Sequence, residues 1–161
     1  MKNSFVISFS LLLFCIAIMA CTLENPIASG ILNGESPETQ TNDAIESRLN
    51  IRIGATVFTA TLLNNPTATA LVARLPLTIP MQELNGNEKF AELPNALPSR
   101  ASAPGTIQTG DLMLYGSTTL VLFYKTFPTA YSYTKLGRVD NPAGLAAALG
   151  SGSVTVTFER Q

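Results

Sequence analysis

The sequence predicts a mainly β protein, a closed antiparallel barrel carrying two short helices. Three observations point there. Seven or eight short runs alternate apolar and polar residues with the period of a half-buried strand. Asn65-Pro66 and Asn141-Pro142 each precede a single apolar stripe at helical spacing. No sustained alternation of strands with long helices occurs, which argues against a doubly wound sheet. A barrel closed on itself accommodates that inventory.

The elements follow in order. Leu49, Ile51 and Ile53 alternate with Asn50 and Arg52, and Gly54-Ala55 turns the chain into a second strand, where Phe58, Ala60 and Leu62 face one way. Asn65-Pro66 starts a helix whose stripe is Ala68, Leu71, Val72 and Leu75, and Pro76 ends it. Leu77 to Leu84 reads as a strand interrupted by Pro80. Asn85-Gly86 is a tight-turn signal, and Glu88 to Leu93 pairs back. Pro94 to Thr109 is rich in Pro, Ser, Ala and Gly and reads as a long surface excursion.

Gly110-Asp111 opens a strand from Leu112 to Tyr115, and Gly116-Ser117 fits a two-residue hairpin loop with glycine first. Asp111 is expected to cap its own turn rather than to act as a catalyst. Thr118 to Lys125 is the most continuous apolar strand. Phe127 to Tyr133 is a loop dense in aromatics, and Thr134 to Val139 a short strand. Asn141-Pro142 then starts a second helix, with Pro142, Leu145, Ala146 and Leu149 on one face and Gly150 at its stop. Val154, Val156 and Phe158 mark the last strand.

Composition excludes several kinds of chemistry. The 161 residues contain no histidine and no tryptophan, so no Ser-His-Asp or Cys-His device and no imidazole zinc site can be built. The two cysteines, Cys15 and Cys21, both precede the folded part, leaving it neither disulfide nor thiolate cluster. Charged residues are 13% of the chain, about half the usual share, and the net charge is −1. No basic face for nucleic acid is expected.

The N-terminus reads as an address. Lys2 precedes an uncharged run from Phe5 to Ala20, whose sixteen residues would span about 24 Å as a helix, short of a bilayer core of roughly 30 Å. That is the pattern of an export signal over residues 1–20. Ile18-Met19-Ala20-Cys21 resembles a bacterial lipobox. The resemblance implies acylation of Cys21 with palmitate-type chains and a membrane partner reached through them; one chain alone would hold only marginally. Thr22 is not an aspartate-type inner-membrane retention signal, which favours the outer membrane of a cell envelope. Residues 21–46 carry Glu24, Glu35, Glu38, Asp43 and Glu46 without one basic residue, and read as a flexible acidic tether. Residues 47–161 are the folded domain, with nine basic and six acidic side chains.

The order strand-strand-helix, long excursion, Gly-Asp hairpin, aromatic loop, helix, strand resembles the small bacterial cyclophilin-like proteins. Residues 110–115 (GDLMLY) and 120–126 (LVLFYKT) carry the likeness, with Leu136-Gly137-Arg138-Val139 and the helix between Asn141 and Gly150. It spans roughly residues 48–159 and implies an eight-stranded closed barrel. Cyclophilin isomerases lower an amide barrier of roughly 18–20 kcal/mol by holding an X-Pro bond in an apolar pocket beside an arginine. Their Phe-His-Arg and Gln-Gly-Gly-Asp stretches have no counterpart here, because Leu77 to Leu93 contains no arginine and no aromatic before Phe90. Arg100 and Arg138 are the remaining substitutes.

The expected function is therefore non-catalytic binding of a peptide or small ligand, ahead of prolyl isomerisation. A third reading is an accessory to a flavodoxin-type redox partner; no phosphate-binding glycine loop exists, so no cofactor of its own is expected. The resemblance places a groove on the barrel's outer face near Met81, Met113, Tyr115, Phe123, Tyr131 and Tyr133. Apolar strand residues such as Met113 and Phe123 are more often core, whereas Tyr131 and Tyr133 sit in a loop and are expected to be partly exposed. Glu88 and Glu92 read as solvated strand charges. Oligomeric state is not legible.

Overall fold

Eight strands close into one antiparallel barrel in a computed structural model that describes residues 47–161. The leader, Cys21 and the acidic segment predicted above lie outside the described residues. Strand β1 (Arg48–Ile53) pairs with β2 (Thr56–Leu62), and helix α1 (Pro66–Val72) follows. Next come β3 (Leu77–Leu84) and β4 (Glu88–Glu92), then the two-residue β5 (Thr106–Ile107). After them lie β6 (Asp111–Tyr115), β7 (Thr119–Phe123), the two-residue β8 (Phe127–Pro128) and β9 (Thr134–Val139). Helix α2 (Leu145–Leu149) and β10 (Val154–Arg160) complete the chain. Around the barrel the order is β1, β10, β3, β4, β7, β6, β9, β2, while β5 and β8 form a separate small pair.

The expected eight-stranded barrel with two helices is the observed one. Alternation decides what fills it, since successive side chains on a strand point to opposite faces. Leu49, Ile51, Ala60, Leu114, Leu122 and Phe158 are among those directed inward and fully buried. Strand β3 runs through Pro80 without interruption, contrary to the sequence reading. Pro80 sits opposite Thr155 and is exposed.

The first Asn-Pro helix start behaves as expected. Asn65 is extended, and its Oδ1 accepts the Ala68 N–H at 2.9 Å while its Nδ2 donates to the Lys135 carbonyl. The second does not. Asn141 Oδ1 accepts the Ala143 N–H and makes a local turn; the residue before α2 is Gly144, in left-handed conformation. Pro142 accordingly stands outside the helix. The β6–β7 connection is also one residue longer than expected, because Tyr115 pairs with Thr119 across Gly116–Thr118.

Between β6 and β9 the register shifts at Leu112/Met113, leaving Leu136 as the extra residue of a bulge. The bulge presses Gly137 onto β2. A Cβ there would lie 2.3 Å from the Thr61 carbonyl oxygen, so only glycine fits.

Among the described residues one basic side chain lies wholly inside. Lys89 pairs with Leu122 on the inward face of its strand and is 0% exposed. Its Nζ donates to the Glu83 carboxylate and to the carbonyls of Gly150 at 2.8 Å and Gly152 at 2.6 Å. The Tyr124 ring lies 5.6 Å from the ammonium, and its hydroxyl donates to Glu83 at 2.8 Å. Lys89 thus ties β3, β4 and the exit of α2 together at one end of the barrel.

Candidate functional site

On three neighbouring strands the outward face is also apolar. β4 turns Glu88, Phe90 and Glu92 outward, opposite Phe123, Val121 and Thr119 of β7. Val121 and Thr119 in turn face Met113 and Tyr115 of β6. Ile107, Met113, Val121, Phe123 and Tyr133 form a second hydrophobic cluster, separate from the barrel interior, with Phe90 and Phe127 against it. Two chain segments cover it. The excursion after β4 and the aromatic loop are stitched by reciprocal backbone bonds between Ser102 and Tyr133 and by the β5–β8 pair.

Between that cover and the strands runs a groove of about 540 Å³, within the usual range for small-ligand sites. Phe90, Val121, Phe127 and the three tyrosines Tyr115, Tyr131 and Tyr133 supply its apolar surface. The rings pack in a chain. Tyr131 meets Tyr115 edge-on at 6.2 Å and 90°, and Tyr115 lies 5.6 Å from Tyr133. Tyr133 stacks edge-on against Phe123 at 5.5 Å. Tyr131 is held by its own N–H, which donates to Thr129 Oγ1, and Thr129 N–H donates to the Gly105 carbonyl. The walls are therefore anchored by backbone rather than left to side-chain packing alone.

Of the six residues expected near a groove, Tyr115, Tyr131 and Tyr133 line it. Met113 and Phe123 lie beneath them, 0% exposed, as supports. Met81 is misplaced by the sequence reading. It faces the barrel interior opposite Val154, fully buried in the main core, because β3 continues in phase through Pro80. Tyr133 is also more buried than expected for a loop residue, at 7%, whereas Tyr131 is 65% exposed.

The larger surprise is Glu88. Read from sequence as a solvated charge, it is only 8% exposed and lines the groove. Among the described residues its carboxylate has no hydrogen-bond or ion-pair partner. Burial, and then the nearby charge of Glu83, push its pKa above the usual carboxylate range. Glu92 lines the groove as well, accepting the Thr119 hydroxyl at 2.6 Å. Asn87 Oδ1, in a third lining residue, is buried and lacks a donor. No lysine or arginine lines the groove. Burial first, then the charge of Glu88, push the Tyr133 phenol up to about 12.

The two arginines weighed as substitutes lie elsewhere. Arg138 donates to the Thr109 carbonyl beside Asp111, and Arg100 donates its backbone N–H to Thr134 Oγ1. Asp111 Oδ2 accepts the Gln108 N–H at 2.9 Å and closes its own turn. Among the described residues no cluster of three potential metal ligands occurs.

No curated protein matches the chain. In fold it is similar to the solution structure of the hypothetical protein AF2241 from Archaeoglobus fulgidus. The TM-score is 0.51 at 19% identity, covering 73% of this chain and 96% of that one. That likeness is one of fold alone. Residues 51–159, from β1 to the penultimate residue of β10, match the Cyclophilin-like family, and the chain belongs to it.

Proposed function

We propose that the domain is a non-catalytic binding module that takes a small ligand or peptide side chain in the groove above β4, β7 and β6, held at a cell-envelope membrane through acylated Cys21. The observation that carries the reading is the groove itself, a concave site with tyrosine walls and no guanidinium or ammonium in its lining. Tyrosine suits recognition, because it offers a large apolar face, few rotors and a hydroxyl at its tip. Isomerisation by an arginine beside an X-Pro bond lacks its residue at this position. Fold membership does not supply activity by itself.

The test is a proline-peptide isomerisation assay on the full chain, run beside Tyr131→Ala. The expected rate is that of the uncatalysed peptide. Turnover at the level of a true cyclophilin, abolished by Arg100→Ala or Arg138→Ala, would overturn the non-catalytic reading. Anchoring is tested separately: Cys21→Ala should move the protein from the membrane fraction to the soluble fraction and remove an acyl mass. Unchanged fractionation without any acyl mass on the wild type would defeat it.

A further inference from the structure

We infer that the groove recognises an organic cation, an ammonium group carried on carbon, seated between the tyrosine rings and the Glu88 carboxylate. The inference rests on the groove being a ligand site and adds the charge and kind of group that binds.

Three observations converge. The charged side chains lining the groove are both carboxylates, Glu88 and Glu92. Glu88 is more than nine-tenths buried as a residue and, among the described residues, has no hydrogen-bond or ion-pair partner. Its carboxylate oxygens are not sealed in but open onto the groove, where a group of opposite charge can reach them. Asn87 Oδ1 adds a buried acceptor without a donor. The unmet groups are thus acceptors, and a positive charge answers them, whether or not it carries an N–H. The rings complete the site. Tyr131 and Tyr115 stand at 90° and form a corner, with Tyr133 next to it. Aromatic faces attract ammonium groups through their quadrupole, more strongly where water is excluded. A metal ion fits less well, since hard cations need several oxygen ligands and Glu92 is already engaged by Thr119. An anionic ligand would meet two carboxylates.

The chain carries its own reporter. It has no tryptophan and four tyrosines, three of which line the groove, so tyrosine emission reads mainly this site. The full chain in maltoside detergent is titrated with choline and with its neutral isostere 3,3-dimethylbutan-1-ol. A capped lysine-proline peptide and its norleucine counterpart form the second pair. A preference of about tenfold or more for the cation in either pair is the expected result. Preference in the choline pair points to a free small molecule, and preference in the lysine pair to a peptide. Glu88→Gln should abolish the preference while leaving the neutral ligands unchanged. Tyr131→Ala, at a side chain too exposed to threaten folding, should weaken cation and isostere alike. Equal binding of cation and isostere in both pairs overturns the cation inference and leaves the groove standing as a ligand site. Loss of response to all four probes overturns both.

Discussion

Lys89 and Glu88 are adjacent on one strand; Lys89 is sealed from water, Glu88 is mostly buried but open to the groove, and the two are opposite in charge and direction. Lys89 points into the barrel and finds three acceptors and an aromatic ring; Glu88 points outward beneath the aromatic loop and finds none. A buried charge with its full set of partners is part of the scaffold. A mostly buried charge without partners is disfavoured in its ionised form, which is what raises the Glu88 pKa. The two residues mark two faces, one closed around its charge and one whose charge opens onto the groove.

Removing Lys89 should have the largest effect. Lys89→Met strands the Gly150 and Gly152 carbonyls at the barrel end and leaves the Glu83 carboxylate with only Tyr124 and the Gly86 N–H. The expected loss is about 3 kcal/mol, which lowers the melting temperature by roughly 10 °C for a domain of this size. Thermal unfolding followed by far-UV circular dichroism measures it. A variant melting with the wild type would show that these bonds contribute nothing net, and the contrast would collapse.

Glu88→Gln should go the other way, with a gain of roughly 0.5–1 kcal/mol at neutral pH. The gain depends on pH with a definite sign. Because the folded pKa of Glu88 lies above its unfolded value, its protonated form favours folding. That contribution is full below the unfolded pKa and is lost as pH rises through the folded one. The advantage of the glutamine variant is therefore largest at neutral pH and fades in acid. The ionisable groups bearing on Glu88 are Glu83 from β3, Tyr124 after β7 and Tyr133 before β9. Melting curves from pH 3 to 7 for both proteins test it; a destabilised variant at pH 7 would mean that Glu88 has a structural partner.

The smallest effect is read in alkali and compares the two faces through their phenols. Tyr124 belongs with Lys89 and Tyr133 with Glu88, and both are pushed up to about 12, chiefly by burial. Their protonated forms stabilise the fold fully below an unfolded pKa near 10, and that stability is lost as pH rises toward about 12. Tyrosinate absorbance of the folded protein should show a late phase near pH 12 to which both contribute. Tyr124→Phe should remove about half of it. An unchanged late phase would show that Tyr124 is not held back at the barrel end.

These two faces also account for what the sequence disclosed. The barrel was legible because one buried face imposes strict alternation, as at Leu49, Ile51 and Ile53. Of the tyrosines around Ser132, the exposure of Tyr131 was legible because loop aromatics lack a strand's reason to be apolar; that of Tyr133 was not, because its backbone bonds to Ser102 and its ring packs on Phe123. Glu88 was not, because around it both faces of the strand are buried and alternation loses its meaning. Glu-Lys-Phe-Ala-Glu puts a charge inside and an aromatic outside, against the simple rule. Met81 was misjudged for the converse reason. Pro80 suggested a break, yet its exposed position opposite Thr155 let β3 run on and kept Met81 in phase with the core. The second Asn-Pro pair failed because an Asx turn uses the same residues as a helix cap.

Closure of the barrel has a consequence for selectivity. Each of the eight strands is hydrogen-bonded to a neighbour on both sides, and along β6 and β7 the pairing runs nearly end to end, leaving them no free backbone edge for an incoming peptide to extend. A guest above β7 and β6 therefore gains no ladder of generic main-chain bonds from them. The discrimination those strands exert resides in the few side chains projecting from their outward positions. Preference could then drift from one guest to another by single exchanges there, while the inward-facing half of the same strands continues to specify an unchanged barrel.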